Sequence, residues 1–116
     1  MNQPLLLLLL LLAPFFCSLS TAINCYAGSR GYVNGELIEK FHEEECDEDM
    51  KYCIESYNSD FVQVTASCQR LGTSRNILNI CESGKEQVKN DVTIRCCIGK
   101  LCNNKGVLEK PKKMTP

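Results

Sequence analysis

Tryptophan is absent from this chain, histidine occurs once, and only four tyrosines and four phenylalanines are present in 116 residues. Two of those phenylalanines, Phe15 and Phe16, belong to an apolar leader, so the rest of the chain is poor in large core-forming side chains. A core that thin rarely stabilises a small domain alone. Charge of one sign is also lacking. The net charge is −1, which excludes the basic surface that nucleic-acid binding requires. No Asn-x-Ser/Thr sequon occurs, because Asn58 is followed by Ser59 and Asp60, so N-glycosylation is not expected. No Cys-x-x-Cys is present to act as a disulfide exchanger. The single histidine, His42, stands in a charged segment with no partner set for a Ser-His-Asp triad. Secreted phospholipases are small and disulfide-rich, but they need a His-Asp pair beside adjacent cysteines. Here Cys96-Cys97 is followed by Ile98 and Gly99. The expectation is a protein that is not an enzyme and carries no metal or other cofactor.

One long apolar run is present, Leu5 through Leu12 extended by Ala13, Pro14, Phe15 and Phe16. It is shorter than the ~20 apolar residues that cross a bilayer and has the length of a signal-peptide core. Ser20 and Ala22 supply small residues at −3 and −1 of a cut after Ala22, although no Lys or Arg precedes the run. Residues 1–22 are therefore read as a signal peptide. Cys17 leaves with it, and nine cysteines become eight. An even count at high density in a short chain belongs to a secreted, disulfide-stapled scaffold. The C-terminal end is charged and gives no lipid-anchor signal. A secreted, extracellular protein without a stable membrane anchor is expected.

The eight are Cys25, Cys46, Cys53, Cys68, Cys81, Cys96, Cys97 and Cys102. Over a hundred pairings are open to such a set. Adjacent cysteines bond to each other only under severe strain, and on a strand they point to opposite faces. Cys96 and Cys97 should therefore reach different partners, with Cys102 as the near one. The segments around them read mostly as strands. Tyr52–Tyr57 and Phe61–Ser67 are rich in β-branched and aromatic residues and flank a turn at Asn58-Ser59-Asp60, which predicts a hairpin. Val92–Cys96 alternates as a strand, and the polar stretch Glu82–Asp91 before it reads as an arm or tip. Gly28, Gly31 and Gly35 punctuate the first segment, with Glu36–Phe41 as a returning strand. Gln69–Ile80 is compatible with a short helix or a loop wall.

The ending Cys96-Cys97-Ile98-Gly99-Lys100-Leu101-Cys102-Asn103 resembles the CC-x4-CN signature of the three-finger superfamily, which includes snake toxins, lymphocyte-antigen and urokinase-receptor domains, and activin-type receptor ectodomains. The opening Ile23-Asn24-Cys25-Tyr26 resembles that family's first strand. The cysteine order is similar to the eight-cysteine form, and the texture also resembles the nematode ET module. The resemblance implies a small disulfide-rich all-β fold, with hairpins rising from a disulfide palm. It implies the pairs Cys25–Cys53, Cys46–Cys68, Cys81–Cys96 and Cys97–Cys102, and an Asn103 that ties the C-terminus to the palm. Twelve residues separate Cys68 from Cys81, where the toxins have almost none, which favours a receptor-like or ET-type member over a venom neurotoxin. The extra cysteine pair of many lymphocyte-antigen domains is absent. Residues 23–105 form the expected domain and 106–116 a basic, disordered tail.

For function, the expectation is a cysteine-rich binding domain, a soluble modulator or ligand of a cell-surface receptor or channel. A membrane-active or defence effector is the alternative, weakened by the near-neutral charge. The middle-hairpin tip, with Tyr57, Asn58, Asp60 and Phe61, is the expected contact surface, because aromatics on rigid loops are common anchors. A cross-strand role for Tyr57 and Phe61 competes with that reading. Residues 23–60 carry a net charge of −7 and 61–116 of +6. The run Glu43, Glu44, Glu45, Asp47, Glu48 and Asp49 is a solvated loop or an acidic docking face for a basic partner. It lacks the spaced Asp-x-Asp-x-Asp-Gly pattern of a calcium loop.

Overall fold

The computed structural model describes residues 22–112, so the expected signal peptide, apart from Ala22, and residues 113–116 of the expected tail lie outside the described part. The first segment forms a long two-stranded ribbon. Strand β1 (Asn24–Val33) runs without a break through Gly28 and Gly31 and pairs along its whole length with β2 (Glu36–Glu45). Asn34 and Gly35, both at positive φ, make the two-residue turn between them. Gly28 is needed for a different reason. At φ +134° a side chain there would place its Cβ 1.9 Å from the Lys40 carbonyl oxygen. Gly28→Ala is expected to prevent correct pairing of the first hairpin. The check is the yield of correctly oxidised protein on refolding, which should fall well below that of the wild type.

The middle hairpin joins β3 (Cys53–Asn58) to β4 (Val64–Cys68). Its second strand starts later than the β-branched run suggests. Asn58 Oδ1 accepts from the Gln63 amide and Asp60 Oδ1 from the Val62 amide, and Phe61 sits at φ 57°. These side-chain bonds hold a wide turn in place of ladder pairing. The third hairpin is β5 (Gln87–Lys89) and β6 (Val92–Cys97), closed by Asn90 and Asp91 at positive φ.

All three hairpins merge into one antiparallel sheet, ordered β2-β1-β4-β3-β6-β5. A helix, α1 (Arg75–Ser83), begins in the ambiguous stretch after Cys68 and runs past Cys81 into Glu82 and Ser83, so the polar arm expected over Glu82–Asp91 starts only after it. Ser74 Oγ caps its N-terminus by accepting from the Ile77 amide, and Gly84 ends it in the left-handed conformation. A second short helix, α2 (Lys105–Leu108), follows Asn103. Alternation along the strands assigns the helices to opposite faces. Ile54 and Cys96 face Ile77 and Cys81 of α1, while Tyr57, Val64 and Ala66 face Val107 of α2.

At the root of the hairpins the disulfides Cys25–Cys53 and Cys46–Cys68 lie in contact, with Cys46 Sγ 3.2 Å from Cys25 Sγ. Cys97–Cys102 closes the small loop beside them, and Cys81–Cys96 pins α1 to the sheet. Cys96 and Cys97 thus part to opposite faces. Asn103 is fully buried among these elements. Its Oδ1 accepts from the Tyr26 amide, and its Nδ2 donates to the carbonyls of Tyr26 and Ile54 at 2.9 Å. One amide side chain thereby joins the first and middle hairpins to the C-terminus. The result is a small disulfide-rich all-β fold with three hairpins on a disulfide palm.

Candidate functional site

The middle-hairpin tip is built differently from the expectation of exposed anchors. Tyr57 is only 5% exposed and packs with Val64, Ala66 and Val107. Its ring stacks on Phe61 at a centroid distance of 5.3 Å, and Phe61 is itself half-buried. Burial raises the Tyr57 phenol above its ordinary value near 10.0, partly opposed by the Lys105 ammonium. Asn58 and Asp60 spend their side-chain oxygens on the turn. Tyr57 is thus a core residue, and Phe61 reaches it from the wide turn rather than from the opposite strand, where Val64 stands.

The tip is also covered from an unexpected side. The domain does not end at Lys105. Gly106 and Val107 are buried, and the Lys112 amide donates to the Asp60 carbonyl at 2.8 Å. Residues 106–112 therefore pack back over the sheet rather than forming a disordered tail. Two buried charges hold them. Glu55, 1% exposed, accepts from the Gly106 amide at 2.8 Å and the Lys105 amide at 3.4 Å, and pairs with Arg95 at 2.6 Å. Asn104 offers no side-chain cap, so Glu55 supplies from another strand the acceptor that α2 lacks. At the other end, buried Arg30 donates to the carbonyls of Phe61, Gly106 and Val107, and pairs with Glu39 at 3.3 Å. It also lies 5.7 Å from the Phe41 ring centroid. A carboxylate at the amide end and a guanidinium at the carbonyl end both oppose the helix dipole. Close approach completes the lock, since a Cβ at Gly106 would meet Val64 Cγ1 at 2.8 Å.

Sequence reading missed this arrangement, although part of it was visible. Glu55 shares a strand face with Cys53 and Tyr57, and an acid on a core face needs a cation. Arg95 stands directly opposite on β6. Arg30 likewise has Glu39 directly opposite on β2, but the carbonyls of Gly106 and Val107 that it holds lie 76 and 77 positions away in the chain and gave no signal.

The acidic run does not form a single face. Glu43, Glu44 and Glu45 end β2, where alternation sends Glu44 to the side opposite its neighbours, and Glu44 pairs with Arg70 at 2.9 Å. Asp47, Glu48 and Asp49 follow in an exposed turn. His42 is exposed on β2. The sulfurs of Cys25, Cys46 and Cys68 crowd within 4.8 Å, but all are disulfide-bonded. Among the described residues no helix is long and apolar enough to cross a membrane.

What the structure leaves open is the end of the first hairpin. Tyr32, Val33, Leu37 and Ile38 are 54%, 56%, 39% and 45% exposed. Tyr32 and Leu37 are cross-strand partners on one face of the ribbon, and Val33 and Ile38 lie on the other. Of the other exposed large apolar residues, Leu71, Ile98 and Leu108 come from separate segments, and only Val88 and Val92 share an element, the third hairpin. The cue in the sequence was Tyr32-Val33 and Leu37-Ile38 on either side of Asn34-Gly35. Compared with known protein families, curated proteins and solved structures, the chain matches none of them.

Proposed function

We propose that this is a secreted, non-enzymatic binding domain that acts as a soluble modulator or ligand of a cell-surface receptor or channel. The observation that carries the reading is the first-hairpin tip, a ribbon apolar on both faces and held by a disulfide palm. Isolated exposed apolar residues are ordinary, but a cluster at the end of a rigid element is a contact surface. Because both faces are apolar, the tip fits a cleft that closes around it better than a flat surface. Glu36, at the turn, disfavours insertion into lipid, so a protein cleft is the better partner. The four disulfides agree with an extracellular setting. The three-finger resemblance supports the same class of role.

A Leu37→Ser/Ile38→Ser variant tests it. Both side chains are exposed, so the fold should keep its stability to within ~0.5 kcal/mol. Saturable binding to receptor-bearing cells should weaken at least about tenfold. Unchanged cell binding would remove the tip from the interface. Dye leakage from vesicles at matched concentrations would support the membrane-active alternative instead.

A further inference from the structure

We infer that the outer edge of β2 accepts an extended, lysine- or arginine-bearing segment of a protein partner as an additional strand. This goes beyond the tip contact and stands on different observations. The first is topological. β2 pairs only with β1, so its other edge carries unpaired main-chain donors and acceptors over ten residues. Such an edge is a template for strand addition unless it is blunted. At the opposite border of the sheet β5 is only three residues long, which is the usual protection. β2 has neither shortness nor proline, and no other element covers its free side in the sheet order.

The second observation is charge. β2 carries Glu36, Glu39, Glu43, Glu44 and Glu45 against Lys40, and the turn after it adds Asp47, Glu48 and Asp49. Glu39 is paired with Arg30 and Glu44 with Arg70. Glu36, Glu43, Glu45 and the three acids of the turn form no ion pair among the described residues. Like charges opposite one another destabilise a strand pair and opposite charges stabilise it. Two copies of β2 would set glutamate against glutamate, so the edge is guarded against a second copy of this chain. A strand bearing lysine or arginine meets both requirements, main-chain pairing and charge.

Titration of the oxidised, isotope-labelled protein at low salt with a Lys-Val alternating decapeptide tests the inference. Amide resonances within Glu36–Glu45 should shift, and their hydrogen exchange should slow. The same peptide with every amide N-methylated keeps its charge and cannot pair as a strand. It should bind at least about tenfold more weakly, and a Glu-Val decapeptide should not bind. Glu43→Lys/Glu45→Lys should weaken the Lys-Val peptide by a similar factor while the rest of the spectrum is retained. Equal binding of the methylated peptide, or shifts confined to residues outside β2, would overturn the proposal. Should the double variant fold poorly, the methylated-peptide comparison decides alone.

Discussion

Full reduction is expected to unfold the protein at neutral pH and room temperature. The cluster at the root of the hairpins consists of Cys25, Cys46, Cys53 and Cys68, with Ile23, Met50, Cys97 and Cys102 against it. The cross-links there are the packing, and three separate hairpins depend on them for a common origin. The disulfides span 28, 22, 15 and 5 positions of chain. On a chain-entropy basis the three longer ones contribute roughly 3–4 kcal/mol each and the short one about 2 kcal/mol. Interlaced loops do not add, but even half that total rivals the stability of a whole domain. Circular dichroism in excess phosphine reductant should show loss of the β signal without heating. A native-like spectrum and a cooperative melt in reductant would contradict this account.

The second large effect is placed on Glu55. Glu55→Ala is expected to lower stability by ~3–5 kcal/mol, because it leaves the Arg95 charge and the amide end of α2 without their buried partner. Glu55→Gln keeps the shape and one acceptor, so it should cost less, and the difference isolates the charge. Denaturant midpoints measure both. The loss should also be local first. With the lock open, residues 105–112 should leave the sheet and trypsin should cut after Lys105 before the disulfide-linked remainder unfolds. A midpoint unchanged by Glu55→Ala would show that the C-terminal segment is held by Arg30 and Val107 alone.

Both expectations bear on the proposed binding surface. The palm and the C-terminal lock fix the lower sheet and the middle hairpin, whose tip is filled by its own turn bonds and by the returning chain. The first hairpin is the longest and extends past its contacts with β4, which span only Gly28–Arg30. Its free edge and its apolar end are the surfaces to which the proposals above assign a partner.

By itself the sequence determined the elements whose causes are local. Asn34-Gly35 and Asn90-Asp91 tolerate positive φ and close hairpins, and cysteine alternation on a strand separates Cys96 from Cys97, whereas the sequence leaves the helix between Ser74 and Gly84 open against a loop wall and its packing on the sheet settles it. The β-rich, disulfide-stapled class was legible for the same reason, since cysteine density and strand periodicity are properties of short stretches. Tertiary structure alone decided which aromatics are core and which are surface. Tyr57 and Tyr32 look alike in sequence, but Tyr57 is buried among Val64, Ala66, Phe61 and the returning Val107, while Tyr32 at the end of the first hairpin stays exposed. That return depends on Glu55 and Arg30, which meet α2 across 51 and 76 positions of chain. Contacts at that range are set by how the sheet assembles, and no pattern within either segment encodes them.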